Sequence, residues 1–213
     1  MIFQSITPKK LRYFPALFFC LTLLAACGGK NQPLLPKLAP GSTILSFGDS
    51  LTFGTGANPQ SSYPALLQQL SGLPVINAGK PGEISADGVQ RLPALLDQHQ
   101  PALLILCHGG NDMLRKKNLS ETQSHLRDMI REAKSRGVAV VLLGVPKPKL
   151  LSLKPAAFYQ ELATELQVPF EAEIIAEVLS DSDLKSDPIH PNAKGYARIA
   201  TAVHKLLIST KAL

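Results

Sequence analysis

From Ser42 onward, short apolar runs alternate with longer stretches in which apolar residues recur every three or four positions. The runs TILSF (43–47), PVIN (74–77), ALLILC (102–107) and VAVVLLG (138–144) are apolar at almost every position. That is the pattern of strands buried on both faces rather than one. Of the helical stretches between them, the clearest starts at Ser120: Ser120 and Gln123 make a capping-box pattern, Leu126, Met129, Ile130 and Ala133 form one stripe, and Gly137 stops it. The last stretch repeats the spacing at Tyr196, Ile199, Ala200, Val203, Leu206 and Leu207, with Pro191 suited to its first position. In SADGVQRLPALLDQH, Gly88 and Pro93 predict a bend or a split. Doubly buried strands separated by helices predict a parallel sheet covered on both sides, a three-layer α/β/α domain whose ligands gather at the carboxyl ends of the strands.

The first 41 residues follow a different pattern. Lys9, Lys10 and Arg12 precede the apolar run YFPALFFCLTLLAA, which at 14 residues is shorter than the roughly 20 needed to span a bilayer and has the layout of a secretory signal. LAAC, Leu24 to Cys27, resembles the lipobox of bacterial lipoproteins. The resemblance implies cleavage before Cys27, a diacylglycerol on its sulfur and, with Gly28 rather than Asp following, sorting to the outer membrane; an uncleaved or ordinary signal peptide is the alternative. GGKNQPLLPKLAPG (28–41) has no helical or alternating period and reads as a semi-extended tether. The expected organisation is a signal peptide over 1–26, a lipidated Cys27 and tether over 27–41, and one domain over 42–213.

This division changes the meaning of the composition. The formal charge of +6 falls to +3 when the signal leaves, so part of the basic character belongs to targeting. Trp is absent and no Lys/Arg run is dense enough to argue for nucleic acid. Of three cysteines, Cys20 leaves with the signal and Cys27 is modified. Cys107 remains, in an apolar run, as an expected buried hydrophobe without a disulfide partner.

The chemistry lies in the segments that follow the strands. The first strand runs into FGDSLTFG, where Ser50 leaves a rigid strand with backbone N–H groups nearby; taken alone, GDS is a turn and helix cap. After the second strand comes NAGKPGE (77–83), with glycines suited to a tight loop. After the third comes HGGND (108–112), where Asn111 can present an amide donor. DPIH (187–190) supplies a carboxylate and an imidazole near the C-terminus. Together these provide a nucleophile, a base with an orienting carboxylate, and oxyanion donors on one sheet edge, the set required for acyl transfer. In that reading Asp187 holds His190 in one tautomer and His190 takes the proton of Ser50.

GDSL (48–51), NAGKPGE, GGND (109–112) and DPIH, in this order and spacing, resemble the four conserved blocks of the SGNH (GDSL) hydrolases. RLPALLDQHQPALLILCHGGND is similar in particular to the periplasmic thioesterase/lysophospholipase and arylesterase branch. The resemblance implies a flavodoxin-like sheet of order 2-1-3-4-5, with VPF (168–170) as the short fifth strand. It also implies Ser50 as nucleophile, His190 as base and then acid, and Asp187 as its orienter. The implied oxyanion hole comprises the N–H groups of Ser50 and Gly82 and the Asn111 amide, with Gly79 as the alternative to Gly82. The implied substrate is a small ester, thioester or lysophospholipid, and no cofactor is involved. Ser50 is followed by Leu51 and Thr52 rather than by x-Gly, unlike an ordinary α/β-hydrolase elbow.

The alternatives are an O-acetylesterase acting on peptidoglycan or surface polysaccharide and, in another class, a non-catalytic envelope-binding lipoprotein. His99, His125 and His204 read as surface residues, while His108 could line the pocket but stays outside the catalytic set. Asp49 and Asp112 read as loop-fixing, and the spacing of His, Cys, Asp and Glu predicts no metal.

Overall fold

The computed structural model describes residues 1–2, 32–147 and 154–213. The expected signal peptide, apart from Met1 and Ile2, and the lipidation site Cys27 lie outside the described residues. The chain divides at Lys30/Asn31, and the fold is that of the unit Asn31–Leu213.

Five parallel strands, β1 (Ile44–Gly48), β2 (Val75–Gly79), β3 (Leu103–Cys107), β4 (Ala139–Leu143) and β5 (Phe170–Glu171), form one sheet in the order β2-β1-β3-β4-β5. The helices are α1 (Ser50–Phe53), α2 (Tyr63–Ser71), α3 (Ser85–His99), α4 (Gly110–Leu114), α5 (Leu119–Ser135), α6 (Ala157–Glu165), α7 (Ile174–Ser180) and α8 (Ala193–Ser209). β1 and β3 are buried at every residue, as their unbroken apolar runs require. β2 is an edge strand, and its Asn77 is exposed.

The strand order is the one expected, but several boundaries differ from the sequence reading. α5 starts at Leu119 rather than after Ser120, because the Asn118 side chain accepts from the Ser120 N–H and takes the cap. α8 starts two residues after Pro191. Asn192 caps it by accepting from the Lys194 and Gly195 N–H groups at 3.0 and 3.1 Å, while Pro191 bridges to Lys185. α3 runs unbroken through Gly88 and Pro93, its Leu92 and Leu96 buried in the core. Burying that face outweighs the local cost of the two residues.

The Pro-rich segment ahead of β1 lies along the domain from Gln32 on. The Leu35 and Leu38 N–H groups donate to the Thr210 and Ala212 carbonyls, each at 2.8 Å. The Gln32 amide pairs with the Phe170 backbone in both directions, at 3.0 and 3.1 Å.

Candidate active site

The parallel register aligns Gly48 with Gly79 on one side and Cys107 on the other, so β1, β2 and β3 end together and their following loops share one edge. A side chain at Gly48 would collide with the Cys107 carbonyl and Thr52, so only glycine lets the chain turn there. The next residue, Asp49, is buried and accepts from the Leu51 N–H at 3.0 Å, capping α1. Burial pushes its carboxyl pKa up, against the opposing pull of that N–H. Ser50 is therefore the first residue of a helix, where a backbone N–H has no carbonyl partner within the helix.

The partner of Ser50 arrives from 140 residues away. His190 Nε2 lies 3.0 Å from Ser50 Oγ, and His190 Nδ1 lies 2.7 Å from Asp187 Oδ2. Asp187 Oδ1 also accepts from the Ile189 and His190 N–H groups, each at 2.9 Å. Partial burial pushes the Asp187 carboxyl up, but these N–H groups and the imidazole hold it below its ordinary value, so it is an ionised acceptor at neutral pH. An ionised Asp187 fixes the imidazole proton on Nδ1 and leaves Nε2 to accept the Ser50 hydroxyl.

The loop that carries this pair is held from both ends. The Ser186 N–H donates to the His190 carbonyl at 2.9 Å, and Asn192 Nδ2 donates to the Asp183 and Lys185 carbonyls at 2.9 and 3.2 Å. From α8, which follows this loop, the Tyr196 hydroxyl donates to the Thr55 carbonyl at 2.8 Å, tying the helix to the turn after α1.

On the other side of Ser50, the loop after β2 passes through Gly82 at φ +78°, a left-handed conformation that glycine adopts without strain. The Gly79 N–H is occupied, donating to Asn77 Oδ1 at 3.0 Å. The Ser50 and Gly82 N–H groups donate to no protein acceptor among the described residues. Asn111 Nδ2 donates one hydrogen to the Glu83 carbonyl at 3.0 Å and keeps the other. Phe53, Leu114 and Ile189, within three positions of Ser50, Asn111 and His190 in the chain, are exposed large apolar residues.

Several residues take roles that differ from the sequence reading. His108 is fully buried. Its Nδ1 accepts from the Gly109 N–H at 2.9 Å and its Nε2 faces Glu83 at 3.2 Å. His125 is half-buried and bonds the Ser85 hydroxyl at 2.9 Å, and His99 and His204 are also half-buried. Asp112, by contrast, fixes its loop as the sequence reading has it, accepting from the Ser85 hydroxyl at 2.6 Å and the Ser85 N–H at 2.9 Å.

Glu83 and Arg91 carried no assigned role in the sequence. Burial pushes the Glu83 carboxyl up, but hydrogen bonds from His108 and Arg91 bring it down to about 2. Nothing short of the fold indicates that a glutamate in a Gly/Pro loop is buried. Cys107 is buried as expected, and burial pushes its thiol up.

Residues 46–198 match the model of the GDSL-like lipase/acylhydrolase family. The chain is 34% identical to the thioesterase 1/protease 1/lysophospholipase L1 of Escherichia coli over 80% of its own length and 86% of that protein. It is 33% identical to the esterase TesA of Pseudomonas aeruginosa over 78% of its own length and 88% of that protein. The crystal structure of AlinE4, an SGNH-hydrolase family esterase, is 30% identical, has a TM-score of 0.63, and is covered over 97% of its chain by 81% of this one. With one sheet edge assembling the four motif blocks, the chain belongs to the GDSL-like lipase/acylhydrolase family and is an ester-hydrolysing enzyme.

Proposed function

We propose that Ser50 is the nucleophile, His190 the general base and then acid, and Asp187 the group that orients it. The reading rests on one observation, the continuous hydrogen-bonded chain from Asp187 through His190 to Ser50 Oγ. Ser50 Oγ attacks the carbonyl carbon of an ester or thioester as its proton passes to His190 Nε2. The carbonyl oxygen, now carrying the negative charge, lies against the N–H groups of Ser50 and Gly82 and the free amide hydrogen of Asn111. Gly82 rather than Gly79 takes this role, since the Gly79 N–H is already committed to Asn77. Collapse of the tetrahedral adduct expels the alcohol or thiol, which receives the proton from His190, and leaves Ser50 acylated. Water, deprotonated by the same imidazole, then releases the acid.

Exposed apolar Phe53, Leu114 and Ile189, close in the chain to Ser50, Asn111 and His190, support acyl chains longer than acetyl, and the relatives' names support the thioester and lysophospholipid classes. Labelling with a fluorophosphonate should modify Ser50, and Ser50→Ala should keep the fold and abolish p-nitrophenyl ester hydrolysis. Undiminished turnover in that variant removes the assignment. The basic-then-apolar segment ending in LAAC supports a lipid anchor at Cys27 in the bacterial envelope. Metabolic labelling with a fatty acid should mark the wild type and not Cys27→Ser.

A further inference from the structure

One buried charge cluster takes no part in the proton transfers above. The Glu83 side chain has no exposed surface, yet it is ionised, facing Arg91 Nε at 2.8 Å, Arg91 Nη2 at 2.6 Å and His108 Nε2 at 3.2 Å, with Lys80 Nζ at 3.6 Å. Burying a carboxylate costs several kcal/mol in solvation, and a buried pair gives little stability beyond apolar packing. What sets the cluster apart is its geometry, since each contact ties a different segment.

Arg91 Nη2 also donates to the Ala78 carbonyl at 3.0 Å and the Gly48 carbonyl at 3.4 Å, and its guanidinium stacks 4.2 Å over Phe47. It therefore ties Glu83 to the ends of β1 and β2. His108 directly follows β3 and leads into α4, which carries Asn111. Its Nδ1 is occupied by the Gly109 N–H, so its proton sits on Nε2 and points at Glu83, while its carbonyl accepts from the Tyr159 hydroxyl at 2.7 Å. Glu83 itself follows Gly82 directly, and its carbonyl accepts from Asn111 Nδ2.

Resting on the assignment of Gly82 and Asn111 as oxyanion donors, we propose that Glu83, Arg91 and His108 form a buried clamp that holds these two donors, one from the loop after β2 and one from α4, at one fixed spacing. The three are positioning residues, and none reaches the reacting atoms. A misplacement of about 1 Å in such a site costs on the order of a hundred-fold in rate, so the clamp acts on kcat rather than on substrate binding.

The experiment compares Glu83→Gln, His108→Phe and His108→Gln, each normalised to active sites counted by endpoint fluorophosphonate titration, with Asn111→Ala as reference. In Glu83→Gln and His108→Phe, kcat per site should fall roughly ten- to a hundred-fold with KM nearly unchanged. Affinity for a boronic acid, which forms a tetrahedral anionic adduct on serine, should weaken in proportion. His108→Gln, which restores an N–H donor toward Glu83, should recover most of the loss. Asn111→Ala should cost about a hundred- to a thousand-fold, and combining it with His108→Phe should cost less than the product of the two.

Full kcat per site in both clamp variants beside a damaged Asn111→Ala overturns the clamp alone. A fall in kcat with boronate affinity intact also overturns it. Full turnover in Asn111→Ala overturns the oxyanion assignment, and the clamp with it. Should Glu83→Gln yield no titratable sites, the His108 pair decides the question.

Discussion

At the scale of single residues, the site depends on side chains whose roles come from their surroundings. His190 and His108 are chemically identical, yet one faces a hydroxyl and a partly exposed carboxylate while the other is buried between Glu83 and the Gly109 N–H. DPIH could be read from the sequence because its carboxylate and imidazole lie within one turn of chain. Glu83 could not, because its partners lie 8 and 25 positions away and its burial is a property of the packed loop. Gly88 illustrates the same dependence. A Cβ there would lie 2.7 Å from His108 Nε2 and 2.9 Å from Met129 Cε. Met129 can swing aside, but His108 is bonded at both nitrogens and cannot. Gly88→Ala should therefore cost about 1–2 kcal/mol in urea unfolding, overpacking outweighing the gain of about 1 kcal/mol in helix propensity. Its kcat should fall as well.

Among the elements, α8 connects stability to chemistry. Its apolar stripe, Tyr196 to Leu207, was legible from its spacing, because a helix shows its buried face in the sequence at every third or fourth position. Its start was not, since Pro191 and Asn192 both suit a helix beginning and only the folded loop shows Pro191 bridged to Lys185. The Asn192 side chain does two things: its oxygen caps α8, and its nitrogen holds the Asp183 and Lys185 carbonyls of the loop that leads to Asp187. Asn192→Ala should lower stability by about 1–2 kcal/mol through the lost cap. It should also reduce kcat, whereas Asn192→Asp, which keeps the cap but not the donor, should restore stability more fully than turnover. Thermal melts and ester assays on the same preparations separate the two effects.

At the scale of the molecule, one buried carboxylate joins the ends of three strands, so its protonation should be felt as global stability. The Glu83 carboxyl has an ordinary value of 4.5 and lies at about 2 in the fold. A depressed folded value means that the contribution is complete above pH 4.5 and is lost as pH falls from 4.5 toward 2, amounting to on the order of 3 kcal/mol. Urea unfolding across that window should show a falling free energy in the wild type and a flatter profile in Glu83→Gln. Equal slopes in the two proteins would show that Glu83 is not the group that titrates.

By itself the sequence determined the layer architecture, the strands, the apolar faces of the main helices and the four loops that carry chemistry. These follow from periodicity and from residues adjacent in the chain, which local order records. The tertiary structure alone decided which N–H groups remain free, the 3.0 Å at which His190 meets Ser50 across 140 residues, that α3 survives its glycine and proline, and that Glu83 is buried between Arg91 and His108. Those outcomes depend on distances between segments that only the packed sheet brings together, and on burial, which belongs to the folded chain as a whole rather than to any stretch of it.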